Sequence, residues 1–269
     1  MMNVKNRILF QLSKRILAKN RKFKHLHRGE SCYIFGNGIS LKDMDLRKFN
    51  DKISIGCNFL WTHNDFPALN MKYYCGVEPF FNYPVCWNRS SRRIERNPLG
   101  SLQNRLQKQY PRISFFTSLS NLFGIRGDNV YYLHHFDVKE PGAGNFTLDG
   151  AFYFVGTMHV MIGMAIYMGF TSAHLVGCDY THSPQRLLHF YEKGQGLSRY
   201  DDDWNADFFD LVQERIDLTT ITSAGATSKT LKYVEYDRHV GAAPVFRENT
   251  ELISREYLDL LAADPGYSI

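Results

Sequence analysis

Several common sequence signals are missing from this chain. No apolar run approaches the ~18 residues that a membrane-spanning helix needs, which argues against an integral membrane protein. The five cysteines form no Cys-x-x-Cys pair and no zinc-ligand spacing. The N-terminus has neither the apolar core nor the small-residue cleavage site of a signal peptide. We therefore expect a cytoplasmic protein whose cysteines are buried thiols.

Excess positive charge is confined to the N-terminus. Residues 1–30 contain nine basic side chains and one acidic one, whereas residues 31–269 contain 23 basic and 26 acidic side chains. Because the body of the chain is not basic, we do not expect it to bind nucleic acid. Apolar residues recur at helical spacing among the N-terminal basic ones: Ile8, Leu9, Leu12, Ile16 and Leu17. This pattern predicts a basic amphipathic arm, suited to the anionic inner-membrane surface or, alternatively, to packing on the domain or on a second copy of the chain.

A glycine-rich turn follows the first strand-like segment. Residues 32–35 are strand-like and lead into the motif GNGIS at residues 36–40, after which the pattern becomes helical. Glycines let backbone N–H groups approach an oxygen-rich ligand, and a helix N-terminus adds partial positive charge. Ser40 is expected as the N-cap of that helix, with Asp43 completing a capping-box-like pattern.

The turn departs from two familiar phosphate-binding motifs. Leu41 occupies the third glycine position of the dinucleotide fingerprint, and no Gly-Lys-Ser/Thr follows as it would in a Walker loop. An ordinary strand-to-helix turn with a cap is therefore the alternative to a ligand-binding turn.

Strand-like and helical segments alternate along the rest of the chain. Further strands are predicted at residues 52–58, 71–79, 113–116, 130–133, 174–180 and 232–234, and helices at 101–109, 157–168, 205–220 and 251–262. This alternation predicts an α/β fold with a mostly parallel sheet and right-handed crossovers. The polar segment 181–204 is longer than ordinary connections and predicts a lid.

Polar residues stand where several of these strands end. In a parallel α/β sheet, ligands bind outside the carboxyl ends of the strands. Five residues are predicted at such ends: Asn37, Ser40, Asn58, Glu78 and Asp179. The helix that opens at Gly156-Thr157 would present its N-terminus at the same edge. For each residue alone, a solvated strand end or a structural cap is the alternative.

The order and spacing of these motifs resemble one superfamily. The matching stretches are the GNGIS turn, the strand ending Cys57-Asn58, the apolar helix from Gly156 to Phe170, and the strand ending in Asp179. They resemble the bacterial CMP-sialic-acid-dependent sialyltransferases of glycosyltransferase family 42 and related glycosyltransferases of surface polysaccharides and flagellin. The resemblance covers residues 32–189. It departs from the family pattern at Ile39, where proline is usual, and at Tyr180, where the family tyrosine stands two residues after the aspartate.

The resemblance implies a single Rossmann-like domain, a GT-A-like variant, over residues 31–269. It implies a CMP-activated donor, inversion at the anomeric carbon, no cofactor and no metal. It also implies a histidine base late in the lid region, for which His189 is the candidate and His182 the alternative. The expected activity is transfer of a sialic-acid-type (nonulosonate) sugar to a cell-surface glycan or glycolipid.

Such a transfer asks three things of the site. A histidine can accept the acceptor hydroxyl's proton near neutral pH. The leaving phosphate would be stabilised by the helix N-terminus at Gly156-Thr157 and by the hydroxyl of Tyr180 or Tyr191. The nucleotide would be held by Asn37, Gly38, Ser40, Asn58 and Asp179.

Two other functions remain open at the level of sequence. A Mg²⁺-dependent diphosphokinase of pterin type shares a GNG-type opening and would need a carboxylate pair. The two Asp-x-Asp runs, Asp43-Met44-Asp45 and Asp201-Asp202-Asp203, are the candidates, although a helix start and a solvated loop explain them equally well. The third possibility is a non-catalytic glycan- or membrane-binding module.

Overall fold

The computed structural model describes residues 4–77, 104–135, 146–152, 156–199, 205–262 and 266–269. The chain divides into two compact units. The first unit comprises Met1–Glu30 and Lys72–Thr171, and the second comprises Ser31–Met71 and Ser172–Ile269. The N-terminal residues predicted to form a separate arm therefore group with the first unit.

The strands of the described residues are short. They are β1 (Ser31–Phe35), β2 (Ile53–Cys57), β3 (Met71–Gly76), β4 (Ser114–Ser118), β5 (Val130–His135), β6 (Ala151–Phe152), β7 (Ser172–Val176), β8 (Gln185–Arg186), β9 (Ser198–Arg199), β10 (Asp217–Thr222) and β11 (Lys232–Glu235). The helices are α1 (Val4–Leu17), α2 (104–109), α3 (Thr157–Met168), α4 (Ala206–Gln213), α5 (Tyr236–Val240), α6 (Asn249–Leu252) and α7 (Arg255–Leu261). Among these, no helix is long and apolar enough to span a bilayer.

The second unit is built on parallel strands in the order β11-β10-β7-β1-β2. The registers Ile34↔Leu175 and Ile34↔Ile55 join β1 to its two neighbours. β1 is buried along most of its length, as expected of a parallel strand that is covered on both faces. All five strands run the same way, so their carboxyl ends lie along one edge of this sheet. The predicted Rossmann-like α/β class is confirmed.

The first unit carries the parallel strands β3-β4-β5-β6 and the apolar helix α3. α3 is buried nearly all round, as its uninterrupted apolar sequence predicted. It ends at Gly169, whose left-handed φ of 88° allows its N–H to bond to the carbonyls of Ala165 and Ile166. The predicted C-terminal glycine cap is therefore confirmed.

The N-terminal segment is partly built into the first unit. Leu17 and Phe23 are buried, and the Asn20 amide donates to the carbonyls of Tyr132 and Leu148 at 2.8 and 2.6 Å. In contrast, Ile8 and Leu12 are exposed. Only part of the predicted amphipathic helix therefore remains available to a membrane.

Two predicted helices are wrong in extent. The segment 205–220 is divided between α4 and strand β10, whose Leu-Thr-Thr-Ile-Thr sequence is rich in β-branched residues and favours a strand. The segment 251–262 is divided between α6 and α7, because Ile253 and Ser254 adopt extended backbone. Periodicity alone did not detect either break.

Leu17→Ala tests the burial of the N-terminal segment. Leu17 is fully buried, so its truncation should lower the free energy of unfolding by about 2–5 kcal/mol in urea denaturation. The matched control is Leu12→Ala on the same helix, which is 74% exposed and should change stability by about 0.5 kcal/mol or less. Equal effects of the two substitutions would mean that the segment is not packed as described.

Candidate functional site

The glycine-rich turn does not lead into an α-helix. β1 is followed by two short 3₁₀ turns, Ile39–Asp43 and Leu46–Lys48. Ser40 lies inside the first turn and makes no helix cap, so the predicted capping box of Ser40 and Asp43 is wrong. The physical reason is that the Ser40 hydroxyl has a different partner, and that partner is Asp179.

Asp179 fastens this turn to the end of β7. Its carboxylate accepts the Ser40 N–H at 2.9 Å and also accepts the Ser40 hydroxyl. The Gly38 N–H donates to the carbonyl of Gly177 at 2.8 Å. A side chain at Gly38 would collide with the Asp179 carboxylate, so only glycine allows this approach. Asp179 is 4% exposed, and its carboxylate serves mainly to hold the turn in place.

Asn37 fastens the same turn to β2. Its side-chain amide donates to the Cys57 carbonyl at 3.0 Å, and its side-chain oxygen accepts the Phe59 N–H at 3.2 Å. Between them, Asn58 adopts a left-handed φ of 50°, a conformation that asparagine tolerates better than most residues. The ends of β7, β1 and β2 are therefore joined by buried side-chain hydrogen bonds.

His189 lies beside this turn and is paired with a carboxylate. Residues Gly38 and His189 form an antiparallel bridge, and the Phe190 N–H donates to the Asn37 carbonyl at 3.0 Å. The Nδ1 atom of His189 lies 2.8 Å from Oε2 of Glu192, which also accepts the His189 backbone N–H. The His189 side chain is 41% exposed, whereas that of Glu192 is 3% exposed.

The environment of Glu192 keeps it ionised. Burial alone would raise the pKa of Glu192, but hydrogen bonds from the His189 side chain and from the Ser268 and His189 backbone N–H groups outweigh it and hold the pKa below the ordinary 4.5. A carboxylate only accepts hydrogen bonds, so the His189 proton resides on Nδ1. The Nε2 lone pair is therefore the one that can accept a proton from a ligand.

Two tyrosines fix the plane of the His189 ring. The ring stacks on Tyr191 with centroids 4.8 Å apart and 5° between planes, and Tyr267 meets it edge-on at 5.7 Å. Burial, followed by the influence of Tyr267, raises the pKa of Tyr191 well above its ordinary value. The Ser268 N–H donates to Glu192 at 3.2 Å, so residues 266–269 complete the surroundings of the pair.

The predicted lid is a hairpin that is attached to the second unit. Strands β8 and β9 pair antiparallel, and Lys42 donates to the Gly194 carbonyl at 2.7 Å. Ser183 and Thr227 form a further bridge, and the Lys193 N–H donates to the Ser268 carbonyl at 2.7 Å. Opening this hairpin would break all of these bonds.

The structure brings most of the predicted residues of the second unit together. Asn37, Gly38, Ser40, Asn58, Asp179, His189 and Tyr191 lie on the loops that follow β1, β2 and β7. Tyr180 follows Asp179 and is 52% exposed, whereas Tyr191 is buried beneath His189. Gly156 and Thr157 begin α3 in the first unit, where Gly156 makes no side-chain cap.

Three further observations concern residues that the sequence singled out or missed. The alternative base His182 is fully buried, and burial lowers its pKa. Glu192, Tyr267 and Ser268 were not identified from the sequence, although the His-x-x-Glu spacing of residues 189–192 was a readable signal for the first of them. Glu78 and Asp201-Asp202-Asp203 lie outside the described residues.

The donor groups of the site suit hydrogen bonding to an organic ligand. Within residues 4–77, 104–135, 146–152, 156–199, 205–262 and 266–269, no three His, Cys, Asp or Glu side chains are arranged to hold a metal ion. The groups that face outward are the His189 imidazole, the Tyr180 side chain and the backbone around Gly38. Together they offer one proton acceptor beside a turn that can approach a ligand closely.

Asp179→Ala tests the fastening of the turn. Removing the carboxylate leaves the buried Ser40 N–H and hydroxyl unpaired, which should lower the free energy of unfolding by about 2 kcal/mol or more. Ser40→Ala in the same background should cost much less than it does alone, because the two residues share one interaction. The exposed helix residue supplies the control Asp210→Ala; additive effects of the Ser40 and Asp179 substitutions would contradict the described contact.

The chain was also compared with known proteins. No protein-family model, no curated protein and no solved structure matches it. What the chain does is therefore inferred from its own residues and their arrangement.

Proposed function

We propose that this protein is an inverting, metal-independent glycosyltransferase that transfers a sialic-acid-type sugar from a CMP donor to a surface glycan. The observation that carries the proposal is the His189–Glu192 pair beside the Gly38 turn. An exposed imidazole whose second nitrogen is held by a buried carboxylate has the arrangement of a general base. The order of motifs that resembles glycosyltransferase family 42 supports the same activity.

The proton transfer follows from the hydrogen bonding of His189. The acceptor hydroxyl attacks the anomeric carbon, the bond from that carbon to the phosphate oxygen breaks, and CMP leaves with the bonding electrons. The hydroxyl proton passes to Nε2, and Glu192 stabilises the resulting imidazolium through Nδ1–H. Tyr191 and Tyr267 keep the ring in one plane, so little reorganisation is needed during the reaction.

The nucleotide is proposed to bind along the edge formed by the loops after β1 and β2. Asn37, Ser40 and Asp179 use their polar atoms to hold these loops, so their contribution is to shape the site. Direct contacts would come from the backbone near Gly38, from Asn58 and from the Tyr180 hydroxyl, which would bind the leaving phosphate. The helix N-terminus at Gly156-Thr157 remains a proposed phosphate-binding group.

A thermal-shift panel tests the nucleotide. CMP without Mg²⁺ should raise the melting temperature, because a ligand at about 100 times its Kd stabilises the folded state by ≈ 2.7 kcal/mol. A shift with ATP and Mg²⁺ instead would indicate the diphosphokinase, and no shift with any nucleotide would indicate a binding module. UDP and GDP serve as controls for nucleotide specificity.

Substitutions of the pair test the base. His189→Ala should abolish transfer while leaving CMP binding within about twofold, since the lost group acts on the acceptor proton. Glu192→Gln should lower kcat by about 10²-fold with little change in KM, and the exposed Glu214→Gln is its matched control. Full activity of His189→Ala would remove His189 from the reaction.

Association with the inner membrane face is proposed for the exposed part of α1. Ile8 and Leu12 are exposed on this helix, and Lys14, Arg15 and Lys19 are exposed beside them. Apolar side chains flanked by basic ones bind anionic bilayers. Leu12→Glu should reduce sedimentation with anionic vesicles; unchanged sedimentation would exclude a contribution from this face.

A further inference from the structure

A second concave feature lies on the same sheet edge of the second unit. It encloses about 420 Å³, within the usual range for a small-molecule site. Its walls come from the 3₁₀ turn after β1, the hairpin β8–β9, the loop 223–226 after β10 and the segment 244–246. The hairpin therefore links two features: its strands carry Arg186 and Ser198 at this pocket, and the loop between the strands carries His189.

The charged groups of the pocket neutralise each other. Arg186 donates to the Asp43 carboxylate at 2.6 Å, and its Nε donates to the Gln195 carbonyl at 3.0 Å. The Ser223 hydroxyl lies 3.4 Å from the same carboxylate oxygen. Among the described residues that line the pocket, Arg186 is the cation and Asp43 the anion. The pair presents planar hydrogen-bonding groups without net charge, which does not favour a phosphate or another strongly anionic ligand.

The opposite character comes from an aromatic side chain. Phe246 lines the pocket and is partly exposed. Its ring lies 5.6 Å from the ammonium nitrogen of Lys42, which is fully buried and donates to Glu248 at 2.7 Å. Because Lys42 holds the ring from the buried side, the exposed part of the ring belongs to the pocket. Pro184 and Pro244 add further apolar surface.

We propose that this pocket binds a neutral pyranose sugar. A pyranose ring has an apolar face of C–H groups, which suits Phe246, and a rim of hydroxyls that both donate and accept. The Asp43 carboxylate can accept from such hydroxyls, and the hydroxyls of Ser198 and Ser223 can do both. The volume accommodates one or two sugar rings.

The pocket's place in the reaction rests on the proposed function. If the protein transfers a sugar, the pocket is the site of the acceptor glycan, because it shares the hairpin of the proposed base His189. The binding of a sugar here does not itself depend on transfer. The two proposals can therefore fail separately.

Sugar binding by the full chain tests the proposal. Methyl β-galactoside and methyl α-glucoside at millimolar concentration would be titrated by saturation-transfer NMR without nucleotide. Wild type should bind at least one of them, and Phe246→Ala should weaken that binding by about tenfold or more, as expected for loss of an aromatic contact. Ala226→Leu should do the same by filling the pocket without removing a polar group. Val245→Ala is the matched control, because Val245 neighbours Phe246 but does not line the pocket.

CMP affinity measured on the same variants separates the outcomes. Weakened sugar binding with unchanged CMP binding supports the proposal. Absence of sugar binding to wild type, or equal binding by wild type and both pocket variants, overturns it, whatever the result with CMP. Loss of CMP binding in Phe246→Ala and Ala226→Leu would also overturn it, since the pocket would then hold the nucleotide.

Discussion

A buried carboxylate at the end of β7 holds the candidate site together. Asp179 takes both polar hydrogens of Ser40, and this contact brings the turn after β1 against the turn after β7. Charge-assisted hydrogen bonds to a group removed from water are stronger than ordinary ones, and leaving such a group unpaired is costly. The glycine at position 38 is a consequence, because any side chain there would occupy the space of the carboxylate.

This arrangement changes the role of several polar residues at the sheet edge. Asn37, Ser40 and Asp179 stand where a ligand would be expected in a parallel α/β fold. Their polar atoms are nevertheless committed to the chain itself, so they shape the edge and leave the outward contacts to neighbouring groups. His189 is the clearest of those groups, because its Nδ1 is engaged by Glu192 while its side chain remains partly exposed.

The hairpin β8–β9 connects this chemistry to the pocket beyond it. Buried Lys42 and the Arg186–Asp43 pair secure the hairpin at two places. Since both are short-range electrostatic contacts in a partly dry environment, the hairpin behaves as a fixed wall of the site. A proton acceptor on one side of that wall and an aromatic, uncharged pocket on the other suit a reaction between two ligands.

The sequence alone determined the parallel α/β class, the apolar helix α3 with its glycine cap, and most strands, because these depend on local periodicity and on single special residues. It also indicated that Asn37, Ser40, Asn58 and Asp179 would meet, since parallel strands end at a common edge. The sequence did not predict strand β10 inside a helical-looking segment, or that the Ser40 hydroxyl would bind a carboxylate 139 residues away rather than cap a helix. Only the tertiary structure decided that Glu192 and Tyr267 surround His189 and that Phe246 closes a neutral pocket. Those contacts join residues that are distant in the chain or placed by loop geometry, and no local pattern encodes them.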